Sequence, residues 1–187
     1  GRIIHRAPTP EAVDLYLSAG HDKAGERIWK ADEIPSTAAP FQPEALRLID
    51  LRGNIIDTVR STEQVIIEIE YSLSAAVKGL RTGIYLYTAR GEAVLTSFDT
   101  DEPEMFEKFT RRKAGKYVSR CTIPADLLNQ GRYTISMNAS SYNVRRYFRD
   151  EQVLDFIVDT TGAPGMQWSE PRPGIIRPRL EWKIEAR

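Results

Sequence analysis

The segment Gln64–Leu73, QVIIEIEYSL, is apolar at every second position: Val65, Ile67, Ile69, Tyr71 and Leu73. Glu68, Glu70 and Ser72 fall between them. Side chains of a strand point alternately to its two faces, so this period predicts a β-strand with one buried face. Glu44–Leu51 repeats the pattern, with Leu46 and Leu48 set against Ala45, Arg47 and Ile49, and Arg52-Gly53-Asn54 reads as the turn that follows. Thr82–Ala89 alternates again. Ile84 and Leu86 take one side, Tyr85 and Tyr87 the other, and Arg90-Gly91 predicts a hairpin turn into Glu92–Phe98. Tyr117–Ile123, Arg132–Ser140 and Gln152–Asp159 read as further strands. Ile123–Gly131 predicts a one-turn helix, with Pro124 near its start and Gly131 just past its end. Residues 99–116 read as a polar loop and residues 160–174 as an irregular stretch. Ile175–Ile184 predicts a closing edge strand, because Pro178 cannot donate to a ladder.

Short strands separated by turn signals predict an all-β fold, an antiparallel β-sandwich. No helical pattern of 10–15 residues alternates with them, which excludes a parallel α/β sheet. The first residues differ. Thr9-Pro10-Glu11 is a helix start, and Val13, Leu15, Tyr16 and Leu17 form an apolar stripe that one short helix cannot bury alone. The organisation expected is therefore a helical appendage over 1–22, a linker over 23–43 with Trp29 as an anchor, and a sandwich over 44–187. A chain of 187 residues suits one domain plus an appendage. The absence of an initial Met suggests a piece of a longer protein.

Composition narrows the function. Lys and Arg total 26 and so do Asp and Glu, so the formal net charge is zero. That argues against nucleic acid as a partner, which calls for a basic footprint. Cys121 is the only cysteine, so no internal disulfide can form, and a mid-strand cysteine is expected to be a small buried hydrophobe. No phosphate-binding glycine motif is present. His5 and His21 both lie in the appendage, which excludes a histidine metal site or a catalytic triad from the β-domain. Neither a metal nor a cofactor is expected in this chain. The acidic run Asp99, Asp101, Glu102, Glu104 and Glu107 lacks the glycine and spacing of a calcium loop. Glu68 and Glu70 sit about 6.6–7 Å apart along one strand face. That distance permits a glycosidase pair, although glutamates are common on solvent faces of strands.

Several motifs occur in one order: EAVDLYLS, GERIW, ALRLIDLRGNIIDTV, QVIIEIEYSL, TGIYLYTARGEAVLTSFDT, GKYVSRCTIPADLLNQGRYTISM and GIIRPRLEWKI. This order resembles the C-terminal half of Wzt-type proteins, the ATP-binding subunits of bacterial polysaccharide ABC exporters. The resemblance covers nearly the whole chain and is most specific in IPADLLNQGRYTIS and in the terminal Gly-Ile-Ile-Arg-Pro-x-Leu-x-Trp. It implies an immunoglobulin-like sandwich that binds, without catalysis, the non-reducing end of a lipid-linked O-polysaccharide and so selects finished chains for export. It implies a cytoplasmic location at the inner face of the bacterial inner membrane. It makes EAVDLYL the last helix of a nucleotide-binding domain whose ATPase would contact the membrane permease. It also implies a homodimer, in some members formed by exchange of the last strand.

The resemblance carries no binding residues over by motif, so the site is read from the alternation. With Ile84 and Leu86 in the core, Tyr85 and Tyr87 face outward. Tyr133, Ile135 and Met137 are then inward, and Ser136 and Asn138 outward together with Thr134 and Ser140. Glu68 and Glu70 are outward on their strand, and Arg120 on Tyr117–Ile123. If these strands share a sheet, its outer face joins aromatic rings to hydroxyl, amide, carboxylate and guanidinium groups. That mixture suits a pyranose, whose hydroxyls need donors and acceptors and whose C–H faces pack on rings. The candidate carbohydrate-binding residues are Tyr85, Tyr87, Glu68, Glu70, Arg120, Ser136 and Asn138. An acidic terminal group would favour Arg120, or Arg145 and Arg146. The competing reading is a dimerisation or protein-docking module without glycan binding, and an enzyme comes third.

Overall fold

The computed structural model describes residues 25–168, 170 and 172–186. The expected N-terminal helix lies outside these residues. Eleven strands follow in chain order: β1 (Glu26–Ile28), β2 (Phe41–Ile49), β3 (Thr58–Arg60), β4 (Val65–Leu73), β5 (Val77–Lys78), β6 (Leu80–Thr88), β7 (Ala93–Phe98), β8 (Arg111–Arg112), β9 (Gly115–Ile123), β10 (Gly131–Ser141) and β11 (Arg145–Asp159). One short helix, α1 (Pro103–Phe109), lies between β7 and β8. Two sheets stack as a sandwich. The first has the order β1-β2-β4-β9 and the second β3-β11-β10-β6-β7, while β5 and β8 pair separately. The long ladders are antiparallel, and β3 runs parallel to β11. The all-β sandwich expected from the alternation is the fold observed.

The alternation also assigns the inner faces. Val65, Ile67, Ile69, Tyr71 and Leu73 are buried on β4, as are Leu46 and Leu48 on β2. From the second sheet Ile84, Leu86, Tyr133, Ile135, Met137, Leu154, Phe156 and Val158 enter the same core. Rings reinforce it: Phe41 stacks on Tyr71 with centroids 5.0 Å apart, and Tyr133 on Phe156 at 5.6 Å. Each fully buried large apolar side chain contributes about 1.5–3 kcal/mol. The hairpin turn sits at Arg90-Gly91 as expected. Gly91 takes φ 79° there, and its N–H bonds the Thr88 carbonyl at 2.9 Å.

Four expectations change. From residue 25 on, the expected linker 23–43 is structured: β1 joins the first sheet, and Trp29 and Phe41 are core residues. Trp29 is the expected anchor, packed edge-on to Phe148 and donating its indole N–H to Asp150 at 2.9 Å. The polar loop 99–116 contains α1, with Pro103 in its first turn and Lys108 in its last, each where the backbone favours it. Residues 124–130 form a turn and no helix, because Asp126 adopts φ 57° and breaks any helical path. The terminal segment enters no ladder among the described residues beyond the bridge between Ile176 and Leu128. It is held at its start. The Asn129 amide donates to the Arg172 and Gly174 carbonyls, both at 2.8 Å, and the Tyr133 hydroxyl lies 2.9 Å from the Ile175 carbonyl.

A buried ion pair closes one end of the sandwich. Arg112 donates to Asp99 at 3.0 Å and also bonds the Tyr71 hydroxyl. Asp99 accepts from Ser119 at 2.7 Å and from the Thr82 backbone N–H at 3.0 Å. Tyr71 and Ser119 belong to the first sheet and Thr82 to the second, so one carboxylate and one guanidinium join both sheets to the 99–112 segment. Burial opposes the charge of Arg112, but the hydrogen bond and charge of Asp99 outweigh it and its pKa stands above the ordinary arginine value. Removing one partner of such a pair strands the other in a low-dielectric interior. Asp99→Ala is therefore expected to cost about 3 kcal/mol in urea denaturation. The double variant Asp99→Leu/Arg112→Leu should lose less than the single Asp99→Ala. A single-variant loss below about 1 kcal/mol would show that the pair does not hold the sheets.

Gly83 on β6 is the second constraint. A Cβ there would overlap the Ser97 carbonyl and lie 2.5 Å from the Phe98 ring. Gly83→Ala is expected to push β7 off β6 and to cost about 2 kcal/mol or more by thermal or urea unfolding. An unchanged midpoint would mean that β7 shifts without loss.

Candidate functional site

β6 lies between β10 and β7, so its outward residues occupy the middle of a three-strand surface. Tyr85 stands opposite Ser136, Tyr87 opposite Thr134, Gly83 opposite Asn138 and Arg81 opposite Ser140. On the other flank Phe98 faces Gly83 and fills the space that a side chain would take. A run of rings results. Tyr85 and Tyr87 lie nearly parallel with centroids 6.5 Å apart, and Tyr85 meets Phe98 edge-on at 6.1 Å. The Arg81 guanidinium continues it, 4.2 Å from the Phe98 centroid and 4.9 Å from that of Tyr142. Four π-systems and one cation thus follow the edge of a polar strip on β10.

The strip is small and buried. Ser136 donates to the Glu151 carbonyl where β11 bulges. The Asn138 amide donates to Ser140 at 3.3 Å, and Ser140 accepts from Arg81 at 3.3 Å. The Asn138 side-chain oxygen has no hydrogen-bond partner among the described residues, and the residue is only 5% exposed. A buried acceptor left open costs about 1–3 kcal/mol. Beyond the strip, Thr134 donates to Asp155 at 2.7 Å, and Arg149 pairs with Glu151 at 3.1 Å.

Tyr85, Tyr87, Ser136 and Asn138 are therefore brought together on one face. Glu68, Glu70 and Arg120 are not. β4 pairs with β2 and β9 and never with β6 or β10, so these three lie on the outer face of the opposite sheet. The expectation of one shared sheet is overturned by this pairing. Their neighbours explain the placement. Arg47 reaches Glu26 at 2.6 Å, Glu70 at 3.0 Å and Glu68 at 3.3 Å, and Arg120 grips the other Glu68 oxygen at 2.8 Å. Both oxygens of Glu68 are occupied by guanidinium groups and Glu70 pairs with Arg47, so the Glu68–Glu70 pair is tied up in ion pairs.

Among the arginines expected for an acidic group, Arg145 donates to the Thr37 carbonyl and stacks on Tyr147. Arg146 is exposed and stands across from Ser140. Arg81, Phe98 and Tyr142 belong to the face and escaped the sequence reading. The signal for Arg81 was parity, since it lies two residues before Gly83 and four before Tyr85. The signal for Phe98 was the hairpin turn, which sets it opposite Gly83. Cys121 faces the sheet interior opposite Ile67, and burial pushes its thiol pKa up. No helix among the described residues is long and apolar enough to cross a membrane.

No curated protein matches this chain. Among solved structures, the crystal structure of the C-terminal domain of wzt superimposes with a TM-score of 0.59, covering 78% of this chain and 84% of that one at 14% identity. The family model described as the Wzt C-terminal domain matches residues 44–168, the span that contains both sheets apart from β1 and the first residues of β2. The chain belongs to the Wzt C-terminal domain family.

Proposed function

We propose that this chain binds a polysaccharide, without catalysis, on the outer face of its five-stranded sheet. The observation that carries the reading is the run of half-buried rings Tyr85, Tyr87 and Phe98 along the outer face of the sheet. Rings pack on the C–H faces of sugars, whose hydroxyls then meet the polar groups around the face. Strands hold these groups more rigidly than loops would, which lowers the cost of ordering a site. Family membership favours a place in a polysaccharide transporter. The ligand proposed is the non-reducing end of a lipid-linked O-polysaccharide, and the outcome of binding is selection of finished chains for export. The module would then work at the cytoplasmic face of the inner membrane, coupled to the permease through an ATPase domain.

The terminal segment supports a second role, assembly. Leu180, Trp182 and Ile184 alternate with Glu181 and Lys183 and are 67%, 84% and 96% exposed. An alternating strand pattern with an uncovered apolar side calls for a partner. The partner proposed is a second copy of the chain that receives this segment as an exchanged strand. This role is compatible with glycan binding.

Three outcomes are expected. Tyr85→Ala/Tyr87→Ala should weaken binding to the cognate O-polysaccharide at least tenfold, about 1.4 kcal/mol, with thermal unfolding little changed. Calorimetry against an array of bacterial O-polysaccharides measures it, and unaltered affinity would remove the tyrosines from the site. Glu68→Gln should leave the same affinity within about twofold, because its face points away. Separately, Trp182→Glu should convert a dimer to a monomer by light scattering. A wild-type monomer would exclude strand exchange.

A further inference from the structure

On the proposed glycan face Arg81 stands without a counter-charge among the described residues. Arg81 has no carboxylate within 4.0 Å among the described residues, whereas Arg27, Arg47, Arg112, Arg120 and Arg149 each have one. It is nevertheless held in place. Phe98 and Tyr142 flank its guanidinium, and its Nε–H donates to Ser140. Stacking occupies the faces of the ion and leaves its edge, where the Nη donors sit. Arg81 lines a cavity of 220 Å³ together with Thr100, Asp101, Phe106 and Tyr142.

The surroundings reinforce the charge. Arg146 stands across Ser140 in register, also with no carboxylate within 4.0 Å among the described residues. Two adjacent strand spacings separate Arg81 from Arg146, roughly 9–10 Å, close enough for both to act on one group. Asp101 is the acid on the cavity wall. Its carboxylate is engaged by the Phe98 backbone N–H at 2.7 Å and by Ser97 at 3.3 Å, which ties it to the turn into α1. The rings Phe106 and Tyr142 are 53% and 66% exposed at the cavity mouth, placed to meet an apolar sugar face.

We propose that this end of the face is a subsite for an oxyanion carried on the sugar chain, a carboxylate or a phosphate ester, bound chiefly by the Arg81 Nη donors with Tyr142 against the sugar ring. The inference rests on the glycan-face reading and names the substrate class within it. Planar guanidinium groups match both oxyanions by paired N–H donors.

The test titrates the folded chain with glucose, glucuronate, glucose 6-phosphate and inorganic phosphate, following the arginine Nε–H resonances by NMR. Glucuronate or glucose 6-phosphate should move the Arg81 signal and bind at least tenfold more tightly than glucose. The stronger of the two identifies the carboxylate or the phosphate. Arg81→Gln should abolish that preference, and Tyr142→Ala should weaken the acidic sugars more than inorganic phosphate. Equal binding of glucose and the acidic sugars, or a preference that survives Arg81→Gln, would overturn the subsite. So would an Arg81→Gln variant that binds the cognate O-polysaccharide like the wild type. In that case a loss confined to Tyr85→Ala/Tyr87→Ala keeps the face as the glycan site, whereas a wild-type chain that binds no polysaccharide removes the face itself.

Discussion

The interior pair of Arg112 and Asp99 is the interaction on which the functional end of this molecule depends. A sandwich of this size would ordinarily fill that position with apolar side chains. Here a guanidinium and a carboxylate take the space, joined by Tyr71, Thr82 and Ser119 from both sheets. Such a pair is a poor source of net stability, since its desolvation cancels much of its attraction. Its effect is geometric. Asp99 directly follows Phe98, and Arg112 closes the segment that carries α1, so the pair fixes both walls of the cavity beside Arg81.

The two outer faces have opposite electrostatic habits. On the four-stranded sheet, Glu26, Arg47, Glu68, Glu70 and Arg120 satisfy one another in a chain of ion pairs. Charges so arranged offer little to a ligand, because any new partner must displace an existing one. On the five-stranded sheet the charge of Arg81 meets rings and a serine hydroxyl, with no carboxylate within 4.0 Å among the described residues. The difference follows from topology. β2, β4 and β9 bring opposite charges into direct register, whereas β6 and β10 set rings and an arginine against serine, threonine and asparagine.

Much of this was legible in the chain. Period-two alternation identified the inner faces of β2, β4, β6 and β10 because each strand has one face in the core, and a one-residue slip would have exposed it. Tyr85, Tyr87, Ser136 and Asn138 were found in that way. Strand neighbours were not legible, since alternation fixes the face of a residue relative to its own strand and says nothing of which strand lies beside it. Glu68, Glu70 and Arg120 were misplaced for that reason. The 3-residue β1 and the 7-residue α1 were missed because each is too short for a period to emerge. Their order comes from tertiary contacts, such as Trp29 against Phe148.

The clamp on Arg81 has a thermodynamic side. A free arginine side chain carries about 2 kcal/mol of rotamer entropy, which it ordinarily surrenders when it captures a partner. Between Phe98 and Tyr142, with Ser140 fixing its Nε, much of that freedom has already gone. The loss is incurred once, when the chain folds, and is not repeated at each encounter. A weak, fast-exchanging ligand meets a donor already aimed, so selectivity at this position can coexist with rapid release.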